Sequence, residues 1–242
     1  MAWNVYGGAV LPDDAAAVAL AAGGTAGFTL ATGGAGSSNA VVNSGVMAFS
    51  SDAASTRTYR INNVADSGGT YPKYLTLLAK VQGNATTRGL EIEGTISEAA
   101  SKGGRYKLII QQGSSSTARL RLENYNNVSS THLDDASVDS GADNVYQINL
   151  TQISLTTGTI TVYANGVAVS TMNYTGALRL ASTNGDNYIQ FGDSSTTAGV
   201  TNPYQSSIDW IIWTNEFCSA GACTPAQLAG RLPASLGVVS GY

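Results

Sequence analysis

The feature that most constrains this chain is a two-residue alternation of apolar and polar side chains. It recurs in one segment after another, with clusters of Gly, Asn and Ser between them. Alternate side chains of an extended strand point to opposite faces, so this period specifies strands with one buried face; almost no stretch shows the period of an amphipathic helix. From Tyr74 to Val81, Leu75, Leu77, Ala79 and Val81 alternate with Tyr74, Thr76, Leu78 and Lys80, and Leu90 and Ile92 open a second core set. Tyr106, Leu108 and Ile110 alternate with Arg105, Lys107, Ile109 and Gln111, and Ala118, Leu120 and Leu122 alternate with Arg119, Arg121 and Glu123. Tyr146, Ile148 and Leu150 mark another strand. Further on, 159–163 and 167–170 flank Ala164-Asn165-Gly166, where Asn-Gly supplies the positive φ angles of a tight hairpin turn. The last strands are expected at 188–191 and 208–213, with Trp210 and Trp213 half in the core and half at a surface.

A chain of 242 residues with this pattern is expected to form one domain, 1–242, an all-β antiparallel sandwich of jelly-roll type with a real core. Two helices are expected beside the strands. Thr224-Pro225-Ala226-Gln227 reads as a capping box with Pro at the first helical position of a short C-terminal helix, and 13–22 as a short helix capped by Asp13 and ended by Gly23.

Only 12% of residues are charged and the net charge is −4, so there is no basic footprint for a phosphate backbone and nucleic acid is excluded as a partner. No apolar run approaches the ~18 residues a membrane span needs, which excludes helical insertion. The N-terminal stretch lacks the basic residues and apolar length of a secretory signal, although a secreted or cell-surface location is expected. Cys218 and Cys223 enclose four small residues that would let the sulfurs meet, so a disulfide is expected, two free thiols being the alternative. With His132 the only histidine and no second Cys pair, a zinc site would lack ligands.

The order of "TGTITVYANGVAV" (157–169), "YIQFGDSS" (188–195) and "SIDWIIWTNE" (207–216) resembles that of concanavalin-like and laminin-G-like jelly rolls, over about two thirds of the chain from Tyr74 onward. Its most specific part is the tail "DWIIWTNEFCSAGACTPAQLAGRLPASLG", which is similar to the terminal segment of bacterial jelly-roll domains attached to polysaccharide-degrading enzymes. That class includes lectins, carbohydrate-binding modules, glycoside hydrolases and polysaccharide lyases, and fold alone does not select among them.

One face narrows the choice. If the strands at 74–81, 90–96, 105–112 and 117–124 are neighbours, Lys80, Glu91, Glu93, Arg105, Lys107, Gln111, Arg119, Arg121 and Glu123 share one side of a sheet. A lyase acting on a uronate polysaccharide needs a cation or amide to neutralise the substrate carboxylate, a base for the C5 proton and an acid for the leaving oxygen. Arg105, Arg119 and Arg121 supply the cations, with Gln111 assisting. The resemblance to β-jelly-roll lyases implies a Tyr with a His or Lys as the proton-transfer pair, for which Tyr188 and Lys107 are the candidates. The expected reaction is therefore β-elimination on an anionic polysaccharide. The same charges also fit an ordinary solvated sheet face with cross-strand ion pairs.

A hydrolase would need two carboxylates across a glycosidic bond. Glu91 and Glu93 lie about 7 Å apart along a strand, and "LEIEG" resembles the acidic strand of jelly-roll glucanases, but the third acid of that pattern is Thr95 here. No cofactor is required by this reading. Calcium is a separate expectation, from Asp134, Asp135, Asp139 and Asp143 in one loop and Asp193 and Asp209 flanking another; turn carboxylates bonded to their own backbone fit as well. His132 is expected as a solvated loop residue beside Asp134 and Asp135. The rival class is a non-catalytic lectin-like module or a structural surface or virion subunit, with Tyr125, Tyr174, Tyr204 and Trp213 as stacking aromatics.

Overall fold

Alternating sequence becomes pairing strand throughout the residues that the computed structural model describes, 4–7, 28–32, 40–43, 46–49, 57–62, 72–82, 90–99, 102–112, 118–125, 130–135, 143–154, 157–175, 188–193 and 206–216. The strands are β1 (Asn4–Gly7), β2 (Thr29–Thr32), β3 (Ala40–Asn43), β4 (Val46–Phe49), β5 (Arg57–Asn62), β6 (Lys73–Gln82), β7 (Leu90–Ala99) and β8 (Lys102–Gln112). They continue as β9 (Ala118–Tyr125), β10 (Ser130–Asp135), β11 (Asp143–Gln152), β12 (Thr157–Ala164), β13 (Val167–Thr175), β14 (Tyr188–Asp193) and β15 (Ser206–Thr214). The two expected helices and the Cys218–Cys223 pair lie outside the described residues.

Two antiparallel sheets result. One has seven strands in the order β10-β9-β8-β7-β14-β5-β2; the other has eight, β13-β12-β11-β6-β15-β4-β3, with β1 beside β15. Between them lies a core of alternate side chains from both sheets, including Leu75, Leu77, Ile148, Ile160, Ile92, Ile189, Phe191 and Ile211. Each such side chain, fully buried, contributes roughly 1.5–3 kcal/mol. Phe28 joins the sheets, its ring meeting Phe191 of one at 4.9 Å and Trp213 of the other at 5.4 Å, both edge to face.

The hairpin expected at Asn165-Gly166 is present, with φ of 48° and 82° at the two turn residues, the signature of a primed turn. It is tied down beyond its own strands: the Asn165 N–H donates to the Val145 carbonyl at 2.8 Å, and its side-chain oxygen accepts from the Val145 N–H at 2.9 Å.

Burial divides the eight-stranded sheet in two. Strand β12 alternates between half-buried and buried along its length, whereas the centres of β6 and β11 are buried on both faces. This corrects the expected neighbourhood of β6. It lies not beside β7 but in the opposite sheet, between β11 and β15, where Leu78 is fully buried on the side turned away from the core. Gln147 of β11 and Ile212 of β15, both buried, stand beside Leu78 in register. Trp210 and Trp213 are likewise both buried rather than half-exposed, which removes Trp213 as a stacking surface. His132 lies in strand β10, opposite Glu123, rather than in a loop; Asp134 and Asp135 belong to the same strand.

Candidate functional site

Strand β7 is the fourth of seven, so Glu91 and Glu93 stand at the middle of their sheet. Register then builds three transverse rows around them. The central row runs Arg60, Gln190, Glu93, Lys107, Glu123, His132 across β5, β14, β7, β8, β9 and β10. On one side lies the row Asn62, Tyr188, Thr95, Arg105, and on the other Thr58, Gly192, Glu91, Ile109, Arg121. The interleaved rows, such as Tyr59, Phe191 and Ile92, belong to the core, so the polar rows occupy the opposite face, as strand alternation requires.

The centre of this face holds a linked set of groups. Tyr188 is fully buried and its hydroxyl donates to Oε1 of Glu93, itself only 4% exposed. The two residues are diagonal neighbours, since Tyr188 stands opposite Thr95 in register. Over the Tyr188 ring lies the Arg60 guanidinium, 4.0 Å from the centroid, where the π face attracts a cation. Gln190 fixes that guanidinium, its Oε1 accepting from Arg60 Nε at 2.9 Å and from Nη2 at 2.7 Å. A phenol is thus held between a cation above its ring and a carboxylate at its hydroxyl. Such a group can pass a proton to the carboxylate while its oxygen accepts another, and the guanidinium favours the charge that develops.

Of the residues singled out in the sequence, register places Glu91, Glu93, Arg105, Lys107, Arg121, Glu123, His132 and Tyr188 within these three rows. Lys107 stands opposite Glu93, and Arg105 opposite Thr95 in the Tyr188 row. Gln111 and Arg119 pair with each other further along the sheet, six residues of β8 beyond Arg105, or about 20 Å at the rise of a strand. They are not brought to Tyr188. Lys80 is not on this face at all: from the other sheet its Nζ reaches Asp209 Oδ2 at 2.8 Å and Asp143 Oδ2 at 3.0 Å, and these contacts, Asp209 first, raise its pKa. Two of the carboxylates expected near calcium are therefore engaged by a lysine. Among the described residues no group of three or more His, Cys, Asp or Glu is placed to hold a metal ion.

Arg60, Gln190 and Thr58 were not in the sequence-derived set. The signal for β5 is present in "RTYRIN", where Tyr59 and Ile61 alternate with Thr58, Arg60 and Asn62. A run of only six residues gives that alternation little weight, and only the pairing with β14 joins it to the acidic strand.

No family model matches the sequence, and a search of curated proteins finds none that matches it. Solved structures do match in shape. A prokaryotic β-1,3-1,4-glucanase (lichenase) from a mouse hindgut metagenome is 14% identical with a TM-score of 0.54, over 89% of this chain and 100% of that one. Peanut lectin is 13% identical, TM-score 0.51, over 90% and 100%. An alginate lyase is 13% identical, TM-score 0.51, over 88% and 96%. Identities this low show a shared fold alone, and the fold is that of the concanavalin-like jelly rolls.

Proposed function

We propose that this chain is a secreted or cell-surface carbohydrate-active jelly roll that takes a uronate-containing polysaccharide on the polar face of its seven-stranded sheet and cleaves it by β-elimination. The observation that carries the reading is the buried Tyr188–Glu93 hydrogen bond under the Arg60 guanidinium, at the centre of that face. Lectins and polysaccharide-cleaving enzymes share the fold, so the choice of chemistry rests on these side chains.

Each group has a task in the reaction. Removal of the C5 proton leaves an electron pair that becomes the C4–C5 double bond; the C4–O4 bond breaks, its pair passes to O4, and O4 takes up a proton. Arg60 supplies the cation that neutralises the uronate carboxylate and lets it accept charge, with Arg105 in the neighbouring row as a second cation. The Tyr188 oxygen takes the C5 proton as its own proton moves to Glu93, and the return path delivers a proton to O4. Lys107, opposite Glu93, is the alternative proton carrier.

One observation favours a second reading, a binding module without turnover: Tyr188 and Glu93 are both buried, so a sugar must open a path to them before any proton moves. The ultraviolet absorbance of the unsaturated uronate product separates the two. Purified protein is incubated with alginate, ulvan, glucuronan, pectate and glycosaminoglycans, with and without calcium. A rise that is lost in Tyr188→Phe establishes the lyase. Retention of a polysaccharide on the protein with no rise establishes the binding module, and neither response to any substrate refutes both.

A further inference from the structure

Among the described residues, the buried side-chain oxygens and nitrogens without a hydrogen-bond partner are Thr58 Oγ1, Thr95 Oγ1 and the two amide atoms of Gln152. Gln152 ends β11 with the parity of Ile148 and Leu150, at the margin of the core. The two threonines are elsewhere and together: they belong to the polar rows on either side of Arg60, Gln190 and Glu93. Thr95 stands opposite Tyr188, and Thr58 opposite Gly192.

Local physics argues against threonine at both positions. A buried hydroxyl with no partner loses its hydrogen bonds to water and gains none in return. Valine has the same shape and branching, suits a strand equally well and carries no such penalty. Thr58 is 2% exposed and Thr95 fully buried, so water does not relieve either. Gly192, between Thr58 and Glu91 in its row, has a φ of 135°, a region that glycine alone enters readily. It is itself buried, so no side chain of its own reaches the Thr58 hydroxyl across the strand pair.

We propose that Thr58 and Thr95 are hydroxyl-recognition groups of the saccharide site, Thr58 receiving a sugar hydroxyl beside Gly192 and Thr95 receiving one beside Tyr188. The inference rests on the carbohydrate reading of this face and adds a division of labour to it. Arg60, Glu93 and Tyr188 address charge and proton transfer, while the threonines address hydroxyls, since each Oγ1 both donates and accepts as a sugar hydroxyl does. Their lack of partners among the described residues is then a stability cost kept for binding.

The test pairs calorimetric titration with thermal unfolding of the full chain. Thr58→Val, Thr95→Val, Thr58→Ser and Thr95→Ser are compared with wild type against oligosaccharides of the preferred uronate polymer and a panel of neutral glucans. The valine variants are expected to unfold at higher temperature yet bind about tenfold more weakly, the loss of one hydrogen bond; the serine variants keep the affinity. Valine variants that bind as tightly as wild type overturn this inference and leave the carbohydrate reading standing. Valine variants less stable than wild type also overturn it, because the hydroxyls then had partners already. A wild-type protein that binds none of the saccharides overturns the carbohydrate reading, and this one with it.

Discussion

Each sheet buries a polar layer on the face turned away from the shared core, and the two layers are composed differently. Behind the eight-stranded sheet, Gln147 donates to Asn149 at 2.9 Å, both are buried, and Thr76 and Thr214 continue the row of Asn149. These groups are neutral, and Lys80 lies towards the end of β6, where it meets Asp209 and Asp143 half in water. Behind the seven-stranded sheet, a carboxylate is itself buried at Glu93, a guanidinium lies on an aromatic ring, and two hydroxyls have no partner. Burying charge is costly, and a neutral layer of similar size is often as stable or more so. The first layer shows that this sandwich can build such a neutral layer. The second therefore asks for a reason beyond folding, and a ligand with a carboxylate and many hydroxyls supplies one.

The sharpest way to break the contrast is Tyr188→Phe. It leaves the Glu93 carboxylate buried without its phenol donor, which is expected to lower stability by about 1.5–3 kcal/mol and eliminase activity by roughly 10²–10⁴-fold. Urea unfolding and the product absorbance measure the two effects on one preparation. Full activity in this variant would reduce the Tyr188–Glu93 pair to packing.

Gln147→Met is the matching change in the neutral layer. Removing the donor to Asn149 is expected to cost about 1–3 kcal/mol in urea unfolding, with saccharide affinity unchanged. A loss of affinity here would mean that the two layers are not separate in function.

How far the sequence reaches differs between these layers. Alternation at 105–112 and 118–124 places the β7, β8 and β9 charges on one face, because each strand follows the last as a hairpin neighbour and register does the rest. The same logic fails for β6. Its partners β11 and β15 are remote in sequence, and nothing local to Lys80 says which sheet it joins; Leu78, apolar on the polar side, was the only sign of a second cover. Tyr188 and Glu93 were each legible as candidates, but their meeting depends on a pairing of β14 with β7 that spans nearly a hundred residues. Arg60 was illegible for a similar reason, since its role comes from lying over Tyr188 and from Gln190 across the strand gap.

Two smaller changes sharpen the comparison from the stability side. Gln152→Met removes two unpartnered amide atoms at the margin of the core and is expected to raise stability by about 1 kcal/mol with no change in saccharide binding. It is the control for the threonine variants: relief of a buried polar group raises stability wherever it occurs, but only on the seven-stranded sheet's polar face should it also weaken binding.

Lys80→Met is the smallest. At neutral pH the ion pairs with Asp209 and Asp143, all three side chains being a third or more exposed, are expected to contribute less than about 1 kcal/mol, falling further in salt. Their pH dependence has a definite sign. Hydrogen bonds donated to Asp209 and then Asp143 hold the ammonium protonated above its ordinary value of 10.5, so the folded state binds that proton more tightly than the unfolded chain does. The contribution is fully present below 10.5 and is lost as pH rises through the higher folded value. Urea unfolding on either side of that range should show wild type losing a small increment that Lys80→Met lacks, with cleavage at neutral pH identical in the two. A Lys80→Met protein that folds normally but no longer binds polysaccharide would put the binding charge on the eight-stranded sheet, and the assignment of function to the Glu93 row would have to be given up.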